Sequence, residues 1–256
     1  MAKRRDRTSR GGGQGGKARI QKVLAHAGVA SRRTIEAMVE QGRVRVNGKV
    51  MTDLPIFVDL KTDDIRVDAR RIRQRGETPA YYLLNKPRGV VSTTSDPTGR
   101  PTVVDLLGDV PQRVYCVGRL DTESTGLILL TNDGDLTQHL THPSHEVPKT
   151  YVVNVQSKVD GPAIARMKQG LHIDGKRTRG AGVKVLRRGT TSTLLEVTLR
   201  EGRNREIRRL LARLGFKVRR LRRTAIGPIT DRGLKTGKAR HLSPREVDML
   251  RDAGRD

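Results

Sequence analysis

The chain has 256 residues, enough for one large domain or two modest ones. Its 52 Lys and Arg against 27 Asp and Glu leave a net charge of +25, with only six aromatic residues, no Trp and one cysteine. These counts exclude an internal disulfide, a cysteine-rich zinc module and an aromatic stacking platform. They point to a polyanionic partner, nucleic acid before acidic membrane.

No apolar run approaches the ~20 residues that span a bilayer. The basic N-terminus has no apolar stretch behind it, so a secretory signal is not expected and a cytoplasmic protein is. Residues 1–18, with GGGQGG, read as a disordered basic tail. Order is expected from Arg19. Ile20, Val23, Leu24 and Ala27 recur at helical spacing, and Gly28 can end that helix. Ser31 is the expected N-cap of a second helix, with Ile35, Met38 and Val39 on its buried stripe and Gly42 after it. RVRVNGKVM then alternates around Asn47-Gly48, a hairpin signal. Arg32, Arg33, Arg43 and Lys49 fall on the polar faces of this unit. By its residues alone it is an RNA- or DNA-binding module, or else a solvated charged face.

RIQKVLAHAGVASRRTIEAMVEQGRVRVNGKV resembles an S4 RNA-binding domain, most recognisably in ASRR and GRVRVNGK. We place that domain at residues 19–68 and a polar linker, ARRIRQRGETP, at 69–79. A second domain is expected over 80–256. YYLLNKP reads as a strand stopped by Pro87. Further strands are expected at 114–117, 126–131, 151–155, 183–186 and 194–199, and helices near 135–140, 161–170 and 204–214. Strands in runs with few helices imply an α+β domain around a mostly antiparallel sheet.

Three segments could carry chemistry. In VGRLDTESTGLILLTNDGDL, residues 117–136, Asp121 lies on a loop between two apolar strands, with Arg119 as the expected neighbouring charge. Such a pair is also the ordinary pattern of a surface ion pair. In EGRNREIRRLLARLG, residues 201–215, Ile207, Leu210, Leu211 and Leu214 form an apolar helical stripe. Arg205, Arg209 and Arg213 then point away, to solvent or phosphate, and Arg208 sits at the edge of the stripe. Ten basic residues lie between Arg203 and Arg223. In HEVPKTYVVNV, Tyr151 follows Lys149 at the start of an alternating strand and is either a half-buried strand residue or a ring on which a base stacks.

Together these segments resemble the RsuA/RluB family of pseudouridine synthases. GRLD with TGLILLTNDG is similar to its catalytic motif, KTY to its tyrosine motif and EGRNREIRR to its third motif. YYLLNKPRGVVST and SDPTGRPTVVDLL match its opening stretch, and EGRNREIRR leans toward the large-subunit synthase B branch. Thr122-Glu123-Ser124 follows Asp121 where relatives often carry an aromatic.

The resemblance implies that Asp121 is the catalytic carboxylate, Arg208 the cation that keeps it charged and Tyr151 the stacking tyrosine. Arg119 would help hold a flipped nucleotide, and Arg203 and Arg205, with the basic residues of the S4 unit, would bind RNA. The implied partner is ribosomal RNA, of the large (23S) subunit or a subunit precursor. The isomerisation consumes no water and oxidises nothing, so it calls for no cofactor and no metal. His139, His142 and His145 invite a zinc reading, but Pro143 interrupts any shared helix. Three alternatives stand beside this: a non-enzymatic S4-type ribosome-assembly factor, a synthase acting on 16S RNA, and a glycosidase, which would need a second carboxylate. Nothing in the sequence speaks for an oligomer, so a monomer is the default.

Overall fold

The computed structural model describes residues 17–73 and 78–254. The expected basic tail lies outside the described residues, apart from its last two. The chain divides into two compact units at Thr78 and Pro79.

The first unit begins with two helices, Ile20–His26 and Arg32–Glu40. Ser31 caps the second: its hydroxyl accepts from the Thr34 amide at 3.1 Å. Ile20, Leu24, Ile35 and Val39 are buried, while Val23 and Met38 pack only partly. Strands Val44–Val46 and Lys49–Met51 form the expected hairpin. Asn47 (φ 50°) and Gly48 (φ 80°) supply the two left-handed residues of a tight turn. Ile65–Val67 pairs with Val44–Val46, and Arg70–Arg71 pairs with Ile65–Val67. Arg70 and Arg71 were expected in the linker. They belong to the first unit's sheet instead, which carries ordered structure past residue 68.

The second unit is built on a nine-stranded sheet. Its main path runs Gly182–Arg188, Ser192–Leu199, Lys149–Gln156, Lys217–Ile226, Thr125–Thr131, Tyr81–Lys86, Ala239–His241. All pairings are antiparallel except one, Thr125–Thr131 with Lys217–Ile226, where Arg222 faces Thr125 and Arg223 faces Gly126. Helices Gly161–Gln169 and Glu206–Arg213 cover one half of the sheet, over Val153, Val155, Leu195 and Val197. The other half is buried on both faces. Leu83, Leu127 and Leu129 meet helices Gly134–Thr141 and Pro244–Asp252; Leu84, Ile128 and Leu130 meet Val90, Val103 and Leu120. Double burial explains why Leu127 to Leu130 is an unbroken apolar run rather than an alternation. Among the described residues no helix is long and apolar enough to cross a membrane.

One edge of Thr125–Thr131 is shared between two strands. Tyr115–Val117 takes its far end, residues 129–131, and Lys217–Ile226 takes only residues 125 and 126. The sheet therefore forks, and the loop carrying Asp121 leaves from the fork. The parallel contact requires a glycine. Gly126 has φ 103°, and a Cβ there would lie 2.2 Å from the Arg223 carbonyl oxygen. Gly126→Ala is expected to cost about 2–5 kcal/mol in urea unfolding, from positive-φ strain plus overpacking. A loss below about 1 kcal/mol would show that the two strands do not depend on this approach.

Candidate active site

At the fork lies a cavity of about 150 Å³, lined in part by Arg119, Asp121, Lys149, Tyr151, Arg203, Arg205, Glu206 and Arg223. Asp121 stands on the loop between Tyr115–Val117 and Thr125–Thr131, with its side chain a quarter exposed. Ser92 steadies this loop from outside: its hydroxyl accepts from the Leu120 amide at 3.1 Å and donates to the Leu120 carbonyl at 2.8 Å.

Two arginines face Asp121. Arg205 Nη1 donates to Oδ2 at 3.1 Å, and Arg208 Nε lies 3.9 Å from the same oxygen. Arg208 Nε is buried and makes no hydrogen bond, while its Nη1 donates to the Val218 carbonyl at 3.3 Å. Glu123 shares both cations, farther from Arg205 than Asp121 is, at 3.9 Å, and as near to Arg208, at 3.8 Å. Two guanidiniums, which keep their proton in a protein, thus face the Asp121 carboxylate.

This corrects two expectations. The neighbour of Asp121 is Arg205, not Arg119, which is exposed and makes no ion pair with a described residue. Nor does Arg205 point away to solvent. The helix begins at Glu206, so Arg205 is its N-cap, held left-handed at φ 50°, ψ 31°, and swings onto Asp121. Arg208 sits at the edge of the helical stripe, its side chain largely buried.

Arg203 also differs from expectation. Its Nε donates to Glu201 at 2.9 Å, and its two terminal nitrogens donate to the carbonyls of Lys176 and Arg177 at 3.2 and 2.7 Å. Its fork is therefore engaged inside the protein. Tyr151 starts the alternation in Lys149–Gln156, where it sits opposite Arg223 and Val197, and its partly buried ring packs against both cores of the unit.

Several charged residues near Asp121 escaped the sequence reading, two of them, Lys149 and Arg223, in the cavity lining. Lys86 is fully buried; its Nζ donates to the carbonyls of Pro87 at 3.0 Å and Val90 at 2.8 Å. Burial pushes its amine down to about 8, opposed by the attraction of Asp121 and helped by the repulsion of Arg223. Burial, with Arg223, likewise brings Lys149 down to about 8. Arg223 is itself buried; its Nε donates to the Leu127 carbonyl at 2.6 Å, and its Nη2 is buried without a partner. One carboxylate thus faces a wall of cations. Such a wall attracts a phosphate or a polarised carbonyl oxygen.

In the first unit, Arg32, Arg33 and Lys49 are exposed and make no ion pair with a described residue. Arg43 is closed off: its Nε and Nη2 grip both oxygens of Asp68 at 2.8 and 2.5 Å. This pair stands at the surface, with the Arg43 side chain 41% exposed.

The geometry separates a strut from a site residue. Arg203→Ala is expected to cost about 2–3 kcal/mol in urea unfolding, because it leaves the buried Glu201 carboxylate without its cation. Arg205→Ala, at a more exposed pair, is expected to cost about 1 kcal/mol or less. Equal losses would overturn the distinction.

A family model described as RNA pseudouridylate synthase matches residues 80–213, and one described as S4 domain matches residues 18–60. The ribosomal large subunit pseudouridine synthase B of Bacillus subtilis is 42% identical over 235 residues, covering 91% of this chain and 95% of that one. An uncharacterized RNA pseudouridine synthase of Mycobacterium bovis is 43% identical over 238 residues, covering 92% and 93%. A crystal structure of a pseudouridylate synthase superposes with a TM-score of 0.66 at 30% identity, covering 91% of this chain and 99% of that one. With residues 80–213 matched by the one model and the helix pair and hairpin by the other, the chain belongs to the RNA pseudouridylate synthase family and carries an S4 domain ahead of the synthase domain.

Proposed function

We propose that the protein converts a uridine of large-subunit ribosomal RNA to pseudouridine, with Asp121 as the reactive carboxylate. The observation that carries this is the Asp121 carboxylate at the mouth of a small cavity, bonded by Arg205 and backed by Arg208. The choice of ribosomal RNA, and of its large subunit, is supported by the 42% identity to the Bacillus subtilis enzyme.

The chemistry breaks the bond between the sugar and N1 of the base. It then joins the same sugar carbon to C5, and the C5 hydrogen leaves as a proton. A carboxylate can serve in either of two ways, as nucleophile on the sugar or as base toward it. In both it acts beside the charged guanidiniums of Arg205 and Arg208. Tyr151 presents its ring to the cavity and gives a flipped base a surface to stack on, with a role in moving a proton left open. Arg223 Nη2 and the Lys149 amine supply donors to the entering nucleotide. Extracting the base from its stack costs a few kcal/mol, least in a loop or hairpin.

Affinity is assigned to free charge rather than to the cavity. Arg32, Arg33 and Lys49 of the S4 unit and Arg119 of the synthase unit are the free cations that we assign to phosphate. The protein is read as a monomer working in the cytoplasm.

Two experiments test this. With ribosomal RNA tritiated at uridine C5, the wild type is expected to release tritium. Asp121→Asn is expected to lose at least about 10³-fold in turnover while still binding RNA. No release by the wild type, on naked RNA and on ribosomal subunits of both sizes, would leave a non-enzymatic assembly factor as the better reading. Separately, removing residues 1–78 is expected to weaken RNA binding and flatten its salt dependence more than it lowers turnover at saturating RNA. Loss of saturated turnover would instead make the first unit part of the catalytic apparatus.

A further inference from the structure

Between strand Ser192–Leu199 and helix Glu206–Arg213 the chain turns through Glu201, Gly202, Arg203, Asn204 and Arg205. Both acids flanking this turn are buried, Glu201 at 8% exposure and Glu206 at 3%. Three of their four carboxyl oxygens have a donor. Glu201 accepts from the Arg179 amide at 2.7 Å and from Arg203 Nε at 2.9 Å. Glu206 Oε2 accepts from the Arg203 amide at 3.0 Å. Glu206 Oε1 is buried, and no donor reaches it.

The two carboxyls converge on Arg203, Glu201 on its Nε and Glu206 on its amide. Were both ionised, they would repel, and the unserved oxygen would have lost its water for nothing. A single proton on Glu206 removes both penalties, because the carboxyl then becomes a donor with Glu201 as its neighbouring acceptor. The turn held between the two acids is the one that presents Arg205. That residue sits in a left-handed conformation with no side-chain capping bond, so its position depends on how firmly the turn is gripped.

We propose that Glu206 is a positioning residue: through one proton shared with Glu201 it locks the 201–205 turn, and the lock holds Arg205 on Asp121. The inference rests on the reading of Asp121 as the reactive carboxylate.

The surroundings fix the direction of the effect. Glu206 shares the cavity wall with Lys149, Arg223 and Asp121, and its own segment contributes Arg203, Arg205 and Arg209. Lys176, Arg177 and Arg179 approach the turn, the first two through carbonyls bonded to Arg203 and the third through its amide. Burial first, and Glu201 next, raise the Glu206 carboxyl to about 7; the Arg203 amide and charge pull the other way. The folded-state value lies above the unfolded one. The lock is therefore complete at mildly acid pH and is lost as pH rises through about 7.

The test is a pH–rate profile at saturating RNA for wild type, Glu206→Gln and Glu206→Ala. Gln is permanently neutral; it donates to Glu201 and accepts from Arg203 as the protonated acid does. Wild-type turnover is expected to fall as pH rises past neutrality, whereas Glu206→Gln keeps its turnover there. Glu206→Ala is expected to lose roughly 10²-fold in kcat at every pH, with KM changed little. Glu206→Gln as impaired as Glu206→Ala, or falling at the same pH as wild type, would overturn the proposal. A second readout does not need activity. Infrared difference spectra should show a protonated-carboxyl band in the wild type at about pH 6 that is missing in Glu206→Gln. Its absence from the wild type would overturn the shared proton. Abolition of tritium release by Asp121→Asn, judged separately, keeps the reading of the site distinct from this inference.

Discussion

Everything at the site depends on one parallel contact. Where Gly126 meets the backbone of Arg223, two strands from distant parts of the chain approach closer than any side chain permits. The contact is only two residues long. Beyond it the edge of Thr125–Thr131 turns to Tyr115–Val117 instead. Had the pairing continued, the sheet would have closed and no cavity would exist. Because it stops, the 118–124 loop must leave the sheet at the fork, and Asp121 faces the space between the two branches. The same contact places Arg223 beside the cavity and lets its guanidinium reach the Leu127 carbonyl of the neighbouring strand.

Packing so many charges at a fork has a cost that the backbone offsets. Lys86, Arg203, Arg208 and Arg223 each bond main-chain carbonyls: those of Pro87 and Val90, Lys176 and Arg177, Val218, and Leu127. Carbonyls are acceptors with no proton to lose, so they hold a cation without neutralising it. The wall thus stays positive, and Asp121 is the charge it is built around. Replacing those carbonyls with carboxylates would make the site neutral and remove its pull on a phosphate chain. The two buried acids among the described residues, Glu201 and Glu206, flank the turn, where Arg203 and the amides of Arg179 and Arg203 occupy three of their four oxygens.

The sequence was most legible where a residue's role is local. Ser31, Asn47-Gly48 and the 127–130 apolar run each signal through their immediate neighbours, and each element formed within a residue or two of expectation. Asp121 stood out because its loop lies between two such clear strands. Legibility failed where charge hid structure. Lys217–Ile226, the strand that makes the fork, carries five basic residues and reads as an RNA-facing block. Only Leu221, Arg223 and Ile226 of it are buried, so its inward face is partly an arginine, which hydropathy scores as surface. Arg205 was misplaced because the helix, expected from residue 204, begins at Glu206: its left-handed backbone breaks the helical phase and turns its side chain onto Asp121. Helix Pro244–Asp252 had a readable signal, the capping box of Ser243 and Glu246, which went unused. The partnership of Arg43 with Asp68 is tertiary, across 25 positions, and leaves no local trace.

That last pairing bears on how a basic protein meets RNA. A net charge of +25 is a sum, whereas binding depends on which cations are free. Arg43, Arg100, Arg203, Arg209, Arg240 and Arg251 each face a carboxylate within 3.3 Å. A paired guanidinium that turned to phosphate would strand its acid, so the gain would be offset by a new loss. Arg32, Arg33 and Lys49 on the first unit, and Arg119 beside the cavity, carry no such obligation among the described residues. The acids of this protein therefore do more than lower its charge. By engaging particular arginines they select which faces remain positive, and so which faces an RNA backbone can approach.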